Sequence, residues 1–201
     1  MKKIIFSLLI SLFFISCLDF TQYITIDENE NITVVLIGTI SKSLVELAAY
    51  SEGYENGVPD YYYEEILRDM ESEARTSYPR NFKFKRINND NEIGLYINGI
   101  VKGNDVTEYD NSLLPVRDGN RFIFTPPYFE NTSEYQEYES MYSSIKIKLI
   151  VSKDYIPRIS SCYLSSYYEV KDVNVYDLKD AFLIEIPIFS GLDSPVLYIE
   201  L

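Results

Sequence analysis

The sequence predicts an α+β fold, a mostly antiparallel β-sheet with two or three amphipathic helices packed on it, in a single domain over residues 17–201. Short segments of alternating apolar and polar residues recur along the chain between Gly, Pro, Asn and Asp, which is typical of half-buried strands. The stretches 43–50 and 59–75 change to the spacing of an amphipathic helix. No linker, repeat or low-complexity segment follows residue 17, and the chain length suits one core.

Two of the predicted strands should lie inside a sheet. The segment 32–40 is apolar almost throughout and follows 20–26 as the second strand of a hairpin. The segment 182–188 is largely apolar on both faces, with Pro187 at its end, at an edge or at a bulge. The Asp-Gly pair ending at Gly119 predicts a tight hairpin turn. The predicted strands are 20–26, 32–40, 82–85, 93–97, 113–116, 121–125, 145–151, 155–160, 170–176, 182–188 and 196–201.

The polar segment between the first two strands has part of a calcium-binding pattern. Asp27, Asn29 and Asn31 have the opening spacing of a calcium loop. Ile32 stands where that loop needs glycine for its sharp bend. We therefore interpret the segment as a solvated turn and expect no metal site.

The predicted helices have recognisable starts. Ser43 and Glu46 have the form of a capping box, which opens the helix 43–50. Pro59 suits the first turn of the second helix. The segment 130–142 is either a third, short helix or a mobile acidic loop.

The second helix, 59–75, is amphipathic and should lie on the sheet. On its polar face we expect the i,i+4 ion pairs Glu64–Arg68 and Glu71–Arg75. Its apolar stripe comprises Tyr63, Ile66, Leu67, Met70 and Ala74.

The beginning of the chain has the layout of a signal peptide. Lys2 and Lys3 precede the apolar run 4–15. That run is shorter than the roughly 20 residues that a membrane-spanning helix needs. A permanent anchor helix is therefore the poorer interpretation.

The same segment ends in Phe14-Ile15-Ser16-Cys17. This tetrapeptide resembles the lipobox of bacterial lipoproteins, in a relaxed form known from spirochaetes, because Phe14 stands where Leu is commonest. The resemblance implies that residues 1–16 are a signal peptide. It also implies that the Cys17 thiol receives a diacylglyceryl group before cleavage on the amino side of Cys17. A secreted protein without lipid is the alternative.

A lipidated cysteine implies a location. The mature protein would be tethered in the cell envelope, on the periplasmic or cell-surface side of a bacterial membrane. A single acyl chain such as palmitate anchors a protein only marginally, whereas two or three chains anchor it firmly.

Composition argues against several function classes. The chain has 31 acidic and 18 basic residues, a net charge of −13, and a field of this sign opposes approach to DNA or RNA. Histidine is absent, and Cys162 is the only cysteine besides Cys17. Ser-His-Asp and Cys-His systems and the usual zinc sites therefore lack their parts. We expect no enzyme and no cofactor, and we interpret Cys162 as a small buried apolar side chain, with an intermolecular disulfide as the alternative.

A cluster of tyrosines surrounds the two predicted helices. It comprises Tyr50, Tyr54, Tyr61, Tyr62 and Tyr63. Three consecutive helical positions spread over about 200°, so at least one of the last three must leave the buried stripe. The cluster is a candidate contact surface for a sugar, peptide or lipid, because tyrosine combines an apolar face with a polar tip. The alternative is that these side chains cover the edge of the core.

The order of elements over residues 18–201 is a hairpin directly after the anchor, a helical insertion, and then a run of antiparallel strands. This order resembles the LppM-type bacterial lipoproteins. The resemblance implies an α+β envelope domain that binds a lipid or a protein partner, with no catalytic residues to transfer. Some members carry a C-terminal transmembrane helix, whereas this chain stops in the predicted strand 196–201.

Three functions remain as hypotheses. The first is a lipid-anchored, non-catalytic binding or scaffold module that contacts a protein partner through the tyrosines or a sheet edge. The second is a carrier of a lipid or small apolar ligand in a cavity between the sheet and the helices. The third is a hydrolase that uses carboxylates alone. Its best candidate is Glu185, whose burial among apolar neighbours would raise its pKa, unless Glu185 simply points outward from its strand.

Overall fold

The computed structural model of the chain describes residues 18–27, 29, 31–51, 57–102, 113–126, 146–187, 192 and 194–201. The predicted signal peptide 1–16, Cys17, Tyr54 and the third helix predicted over 130–142 lie outside the described residues. Within them the fold is α+β with mostly antiparallel sheets, as predicted.

The described residues form two helices and twelve strands. The helices are α1 (Lys42–Ser51) and α2 (Asp60–Ser77). The strands are β1 (Leu18–Ile26), β2 (Asn31–Ser41), β3 (Lys83–Asn88), β4 (Glu92–Lys102), β5 (Val116–Asp118), β6 (Arg121–Phe124), β7 (Lys146–Ser152), β8 (Ser161–Ser165), β9 (Val170–Asp172), β10 (Asn174–Asp177), β11 (Ala181–Pro187) and β12 (Val196–Glu200).

The strands form two sheets. The first has the order β10-β11-β7-β1-β2-β4-β3, and the second has the order β5-β6-β12-β8-β9. Strand β2 lies between β1 and β4, and β11 lies between β10 and β7. The central positions predicted for these two apolar strands are therefore confirmed, and Pro187 is the last residue of β11.

By compactness the chain divides into two units. Unit 1 comprises residues 1–20 and 36–98, and unit 2 comprises residues 21–35 and 99–201. Strands β1, β2 and β4 contribute residues to both units. The single domain over 17–201 stays a prediction.

The core of unit 1 joins both helices to the sheet. Val45 of α1, Tyr63 and Leu67 of α2 and Ile93 of β4 are all buried and form one apolar cluster. Partly buried side chains pack around them, namely Ile40, Val58, Tyr62 and Ile66. The apolar stripe predicted for α2 is thus the face that the helix buries.

The start of α1 differs from the predicted capping box. The Ser41 hydroxyl accepts a hydrogen bond from the Leu44 backbone N–H at 3.2 Å. The helix therefore begins at Lys42, and Ser41 rather than Ser43 is its cap. The start of α2 is shifted in the same way. This helix begins at Asp60, so Pro59 occupies the cap position just before the first turn.

One of the two predicted ion pairs on α2 is wrong. Arg75 pairs with Glu71 at 2.6 Å, as predicted. Glu64 instead pairs with Arg86 of β3 at 3.3 Å. The Arg68 side chain lies 3.5 Å from Glu65. Arg86 thus forms the ion pair with Glu64 that the i,i+4 spacing predicted for Arg68.

Two strand predictions in the last third of the chain are wrong. The backbone N–H groups of Tyr155 and Ile156 both donate to the Ser152 carbonyl at 3.0 Å, so the chain turns there and β8 begins only at Ser161. The segment 170–176 is broken near Val173 into β9 and β10, which belong to different sheets.

Other strands of unit 2 follow the predicted alternation. Ile147, Leu149 and Val151 of β7 are fully buried while their neighbours are partly exposed. The strand predicted over 113–116 is wrong, because β5 begins only at Val116 and ends at Asp118. Strands β5 and β6 nevertheless pair across the predicted turn, where Gly119 has a φ of +62° that favours glycine. Cys162 of β8 is buried, as predicted, and burial raises the pKa of its thiol to about 12.

Candidate functional site

Unit 1 contains an open apolar cleft of about 330 Å³ between α2 and the strands that face it. This volume lies at the lower end of the range for small-molecule sites. The strands contribute Phe20, Leu36, Gly38, Leu95 and Ile97, and the end of the helix contributes Met70, Glu73, Ala74, Ser77 and Tyr78.

The cleft arises where the apolar stripe of α2 passes beyond the packed core. Tyr63 and Leu67 fill the space below the first half of the helix. Two turns after Leu67 the same stripe presents Ala74, and the facing strand presents Gly38. Small side chains on both walls leave a gap. A Cβ atom added to Gly38 would reach only ordinary contact with the Phe20 ring, at 3.5 Å.

Ion pairs tie the outer face of the helix to β3. Glu71 accepts hydrogen bonds from Arg75 at 2.6 Å and from Arg86 at 2.7 Å. These two bonds lower the pKa of the Glu71 carboxyl. The Arg75 guanidinium also lies 4.5 Å from the centre of the Phe84 ring. These contacts hold the C-terminal half of α2 beside the strands that form the cleft.

The cleft lining suits an aliphatic chain. Most of its side chains are apolar, and Tyr78 stacks on Phe82 with 6.0 Å between ring centroids. Burial raises the pKa of Tyr78, so this phenol stays neutral at physiological pH. The Ser77 hydroxyl donates to the Glu73 carbonyl within the helix. The exposed carboxylate of Glu73 is the one charged group of the described lining, and it opposes an anionic head group.

The described tyrosines of the predicted cluster differ in burial. Tyr50 and Tyr61 are exposed, and Tyr62 is half-buried against the core of unit 1. Tyr63 is buried and donates to Glu46 at 2.9 Å, and burial together with this bond raises its pKa to about 12. The expectation that at least one of the consecutive tyrosines leaves the buried stripe is confirmed. None of the four lines the cleft as described.

The comparisons assign no family. No protein-family model matches the chain, and comparison with curated proteins and with solved structures gives no significant match. The resemblances to lipobox proteins and to LppM-type lipoproteins stay interpretations of the sequence.

Neither α1 nor α2, the helices of the described chain, is long and apolar enough to cross a membrane.

A second, larger concavity has a volume of about 640 Å³ and a mixed lining that includes Ile26. It lies in unit 2 beside Asp27, Asn29 and Asp154. The Asp27 carboxylate accepts bonds from the backbone N–H groups of Asn29 and Asn31 at 2.8 and 2.9 Å, which closes the turn. Its pKa is lowered, first by the bond from the Asn31 side chain. Among the residues that the structure describes, there is no cluster of three or more His, Cys, Asp or Glu side chains that could hold a metal ion.

Sequence reasoning missed the wall residues Phe20, Gly38 and Tyr78. A glycine inside a predicted strand was the available signal, because such a glycine often marks a gap or a close approach. It also missed Tyr167 and Tyr168, which are 91% and 92% exposed and pack edge to face with ring centroids 4.7 Å apart. They occupy the tight turn between β8 and β9.

Glu185 is only partly buried on β11, and its side chain lies on the opposite face of the strand from the fully buried Ile184 and Ile186. This is the outward orientation given as the alternative to a raised pKa. The Glu185 carboxylate accepts a hydrogen bond from Lys146 of the neighbouring strand β7 at 2.7 Å. Tyr176 of β10 donates to the same oxygen at 3.4 Å. The bond from Lys146 is the main reason why the pKa of Glu185 is lowered. A carboxyl held in its ionised form is a poor general acid at neutral pH.

We expect Glu185→Gln to lower the free energy of unfolding by at most about 1 kcal/mol at pH 7, because the pair is partly exposed. Since folding lowers the pKa of Glu185, its contribution is present above the unfolded pKa and is lost as pH falls through the folded pKa. Urea unfolding of both proteins between pH 7 and pH 3 should therefore show the difference shrinking in acid. A difference that grew in acid would contradict the ion-pair interpretation.

Proposed function

We propose that this protein is a lipid-anchored, non-catalytic envelope lipoprotein that binds the apolar chain of a lipid in the cleft of unit 1. The cleft carries the proposal, and the sequence of residues 1–17 supports the anchor. A carrier or lipid-sensing module binds its ligand without changing it chemically, so this function needs no catalytic group. Each methylene that moves from water into the cleft contributes about 0.8 kcal/mol to binding.

The chemistry of the lining supports a neutral ligand. Glu73 would repel a free fatty acid or an anionic phospholipid, and the net charge of −13 adds to that repulsion. A monoacylglycerol, which has an apolar chain and a neutral head group, matches the lining. This is therefore the class of ligand to use as a probe.

Tyr78→Trp creates a reporter for the cleft, because the chain contains no tryptophan. In the full-length Cys17→Ser protein, we expect a monoacylglycerol with a dibrominated acyl chain to quench this tryptophan saturably, by at least twofold. Bromine quenches indole fluorescence only at short range, so quenching reports a chain inside the cleft. The measurement is a fluorescence titration.

The matched control is Tyr61→Trp, on the same helix but exposed and outside the cleft. Ala74→Leu, added to Tyr78→Trp, should reduce quenching several-fold because it fills the wall, whereas Ser72→Leu on the exposed face should not. Equal quenching of the two reporters, or none at Tyr78→Trp, would refute binding in the cleft.

Binding of a protein partner is the second candidate. The exposed edge-to-face pair of Tyr167 and Tyr168 favours it, because such aromatic side chains are enriched at the centre of protein interfaces. Tyr50 and Tyr61 are further exposed candidates on the helices. If this is the main function, Tyr167→Ser with Tyr168→Ser should abolish specific crosslinks in cells while Ala74→Leu leaves them intact.

A further inference from the structure

We propose that the chain bound in the cleft is one of the acyl chains attached to Cys17 of the same molecule. This inference rests on the proposed lipid anchor and names the ligand of the cleft. The protein would thereby shield part of its own anchor.

The first argument is distance along the chain. The described chain begins at Leu18 in β1, and Phe20 is a wall of the cleft. Cys17 precedes Phe20 by three residues, which span at most about 11 Å even when fully extended. An acyl group on Cys17 is therefore attached next to one side of the cleft. A tether this short gives the chain a far higher effective concentration than a free lipid has.

The second argument is shape at that side of the cleft. The Phe20 ring faces Gly38, where a Cβ atom would lie 3.5 Å from one ring carbon and 3.9 Å from another. The gap between Gly38 and the Phe20 ring is therefore about the size of one methyl group, and the ring forms the edge of the cleft here. Leu36, Leu95 and Ile97 continue the apolar surface along the strands. A linear chain entering beside Phe20 would thus find apolar side chains along its path.

The third argument is charge. Glu73 is the charged group of the described cleft lining, and a ligand without charge avoids its field. Acyl chains linked to Cys17 through ester or amide bonds carry no ionised head group. A free fatty acid carries a carboxylate beside Glu73. The tethered chain therefore fits this lining better.

Occupancy of the cleft would change the strength of membrane attachment. A single acyl chain anchors only marginally, whereas two or more hold firmly. Moving one chain from the bilayer into the cleft therefore weakens the anchor without breaking any covalent bond. The cleft would then set how readily the protein leaves a membrane.

The test uses the full-length protein in bacteria that are fed a photoreactive, alkyne-tagged palmitate. After irradiation, the labelled protein is digested and the crosslinked peptides are mapped by mass spectrometry. We expect photoproducts between the lipid on Cys17 and cleft residues of the same chain, chiefly Met70, Ala74 and Ile97. Ala74→Leu should reduce these products several-fold, and Ser72→Leu should leave them unchanged.

The outcomes separate the two proposals. If the unsubstituted protein takes up no more palmitate label than Cys17→Ser does, the lipid anchor is refuted, and this inference with it. Label on Cys17 with photoproducts only in membrane lipid or outside the cleft would overturn this inference alone. If Ala74→Leu unfolds, Gly38→Ala narrows the cleft from the opposite wall and should also reduce the products.

Discussion

Replacing Gly94 by alanine is expected to lower the free energy of unfolding by about 3 kcal/mol, a large effect for one methyl group in a sheet. Gly94 of β4 lies against β2 within unit 1. A Cβ atom there would approach Thr39 Cα to 2.8 Å and the Gly38 carbonyl oxygen more closely still. Because these atoms belong to the backbone, no side-chain rotation can relieve the overlap. Urea unfolding followed by circular dichroism measures the change.

The matched control for Gly94→Ala is Gly38→Ala on the neighbouring strand. A Cβ atom at Gly38 meets only the Phe20 ring, at ordinary contact distance. We expect a change within about 1 kcal/mol, and a small stabilisation is reasonable because alanine restricts the unfolded chain. Equal losses in the two variants would contradict the close strand approach at Gly94.

Leu67→Ala is expected to lower the free energy of unfolding by about 2 to 5 kcal/mol, the usual range for a truncated core leucine. Leu67 is fully buried and contacts Val45, Tyr63 and Ile93, so the substitution leaves a cavity where α2 meets α1 and β4. Thermal and urea unfolding give the measurement.

The control for Leu67→Ala is Leu47→Ala on α1, where the side chain is 55% exposed. We expect this change to alter stability by less than about 0.5 kcal/mol. If the two substitutions lowered the free energy of unfolding equally, the cluster around Leu67 would not be the core of unit 1. Because α2 also forms one wall of the cleft, Leu67→Ala added to Tyr78→Trp should also reduce quenching of the tryptophan by the brominated monoacylglycerol.

Local patterns predicted α2 and β7 well. The stripe from Tyr63 to Ala74 repeats every three or four residues, so its buried face could be read from spacing that lies within one element. The buried face of β7 could be predicted in the same way, because its apolar residues recur at every second position within the strand. Boundaries were less accurate, as at Ser41 and Ser43, because two serines so close in sequence offer similar caps and the tertiary fold selects one of them.

The errors have a common origin in contacts between distant residues. The sequence left open whether Glu185 is buried or points outward, and its ion pair with Lys146, far away in the chain, decides the direction of its pKa shift. The strand predicted over 155–160 failed although its residues alternate, since the turn after Ser152 redirects the chain. Tyr155 donates instead to the Pro115 carbonyl, forty positions away in the sequence, at 2.6 Å.

The α+β class, most of the strands and the buried face of α2 could be predicted from the sequence alone, because they depend on the spacing of apolar residues within short segments. Only the tertiary structure decided where the cleft lies. Its walls combine Phe20, Gly38 and Ala74, which are small or aromatic residues from three different elements. A cleft is volume that side chains leave unfilled, and that volume exists only after distant segments have been brought together.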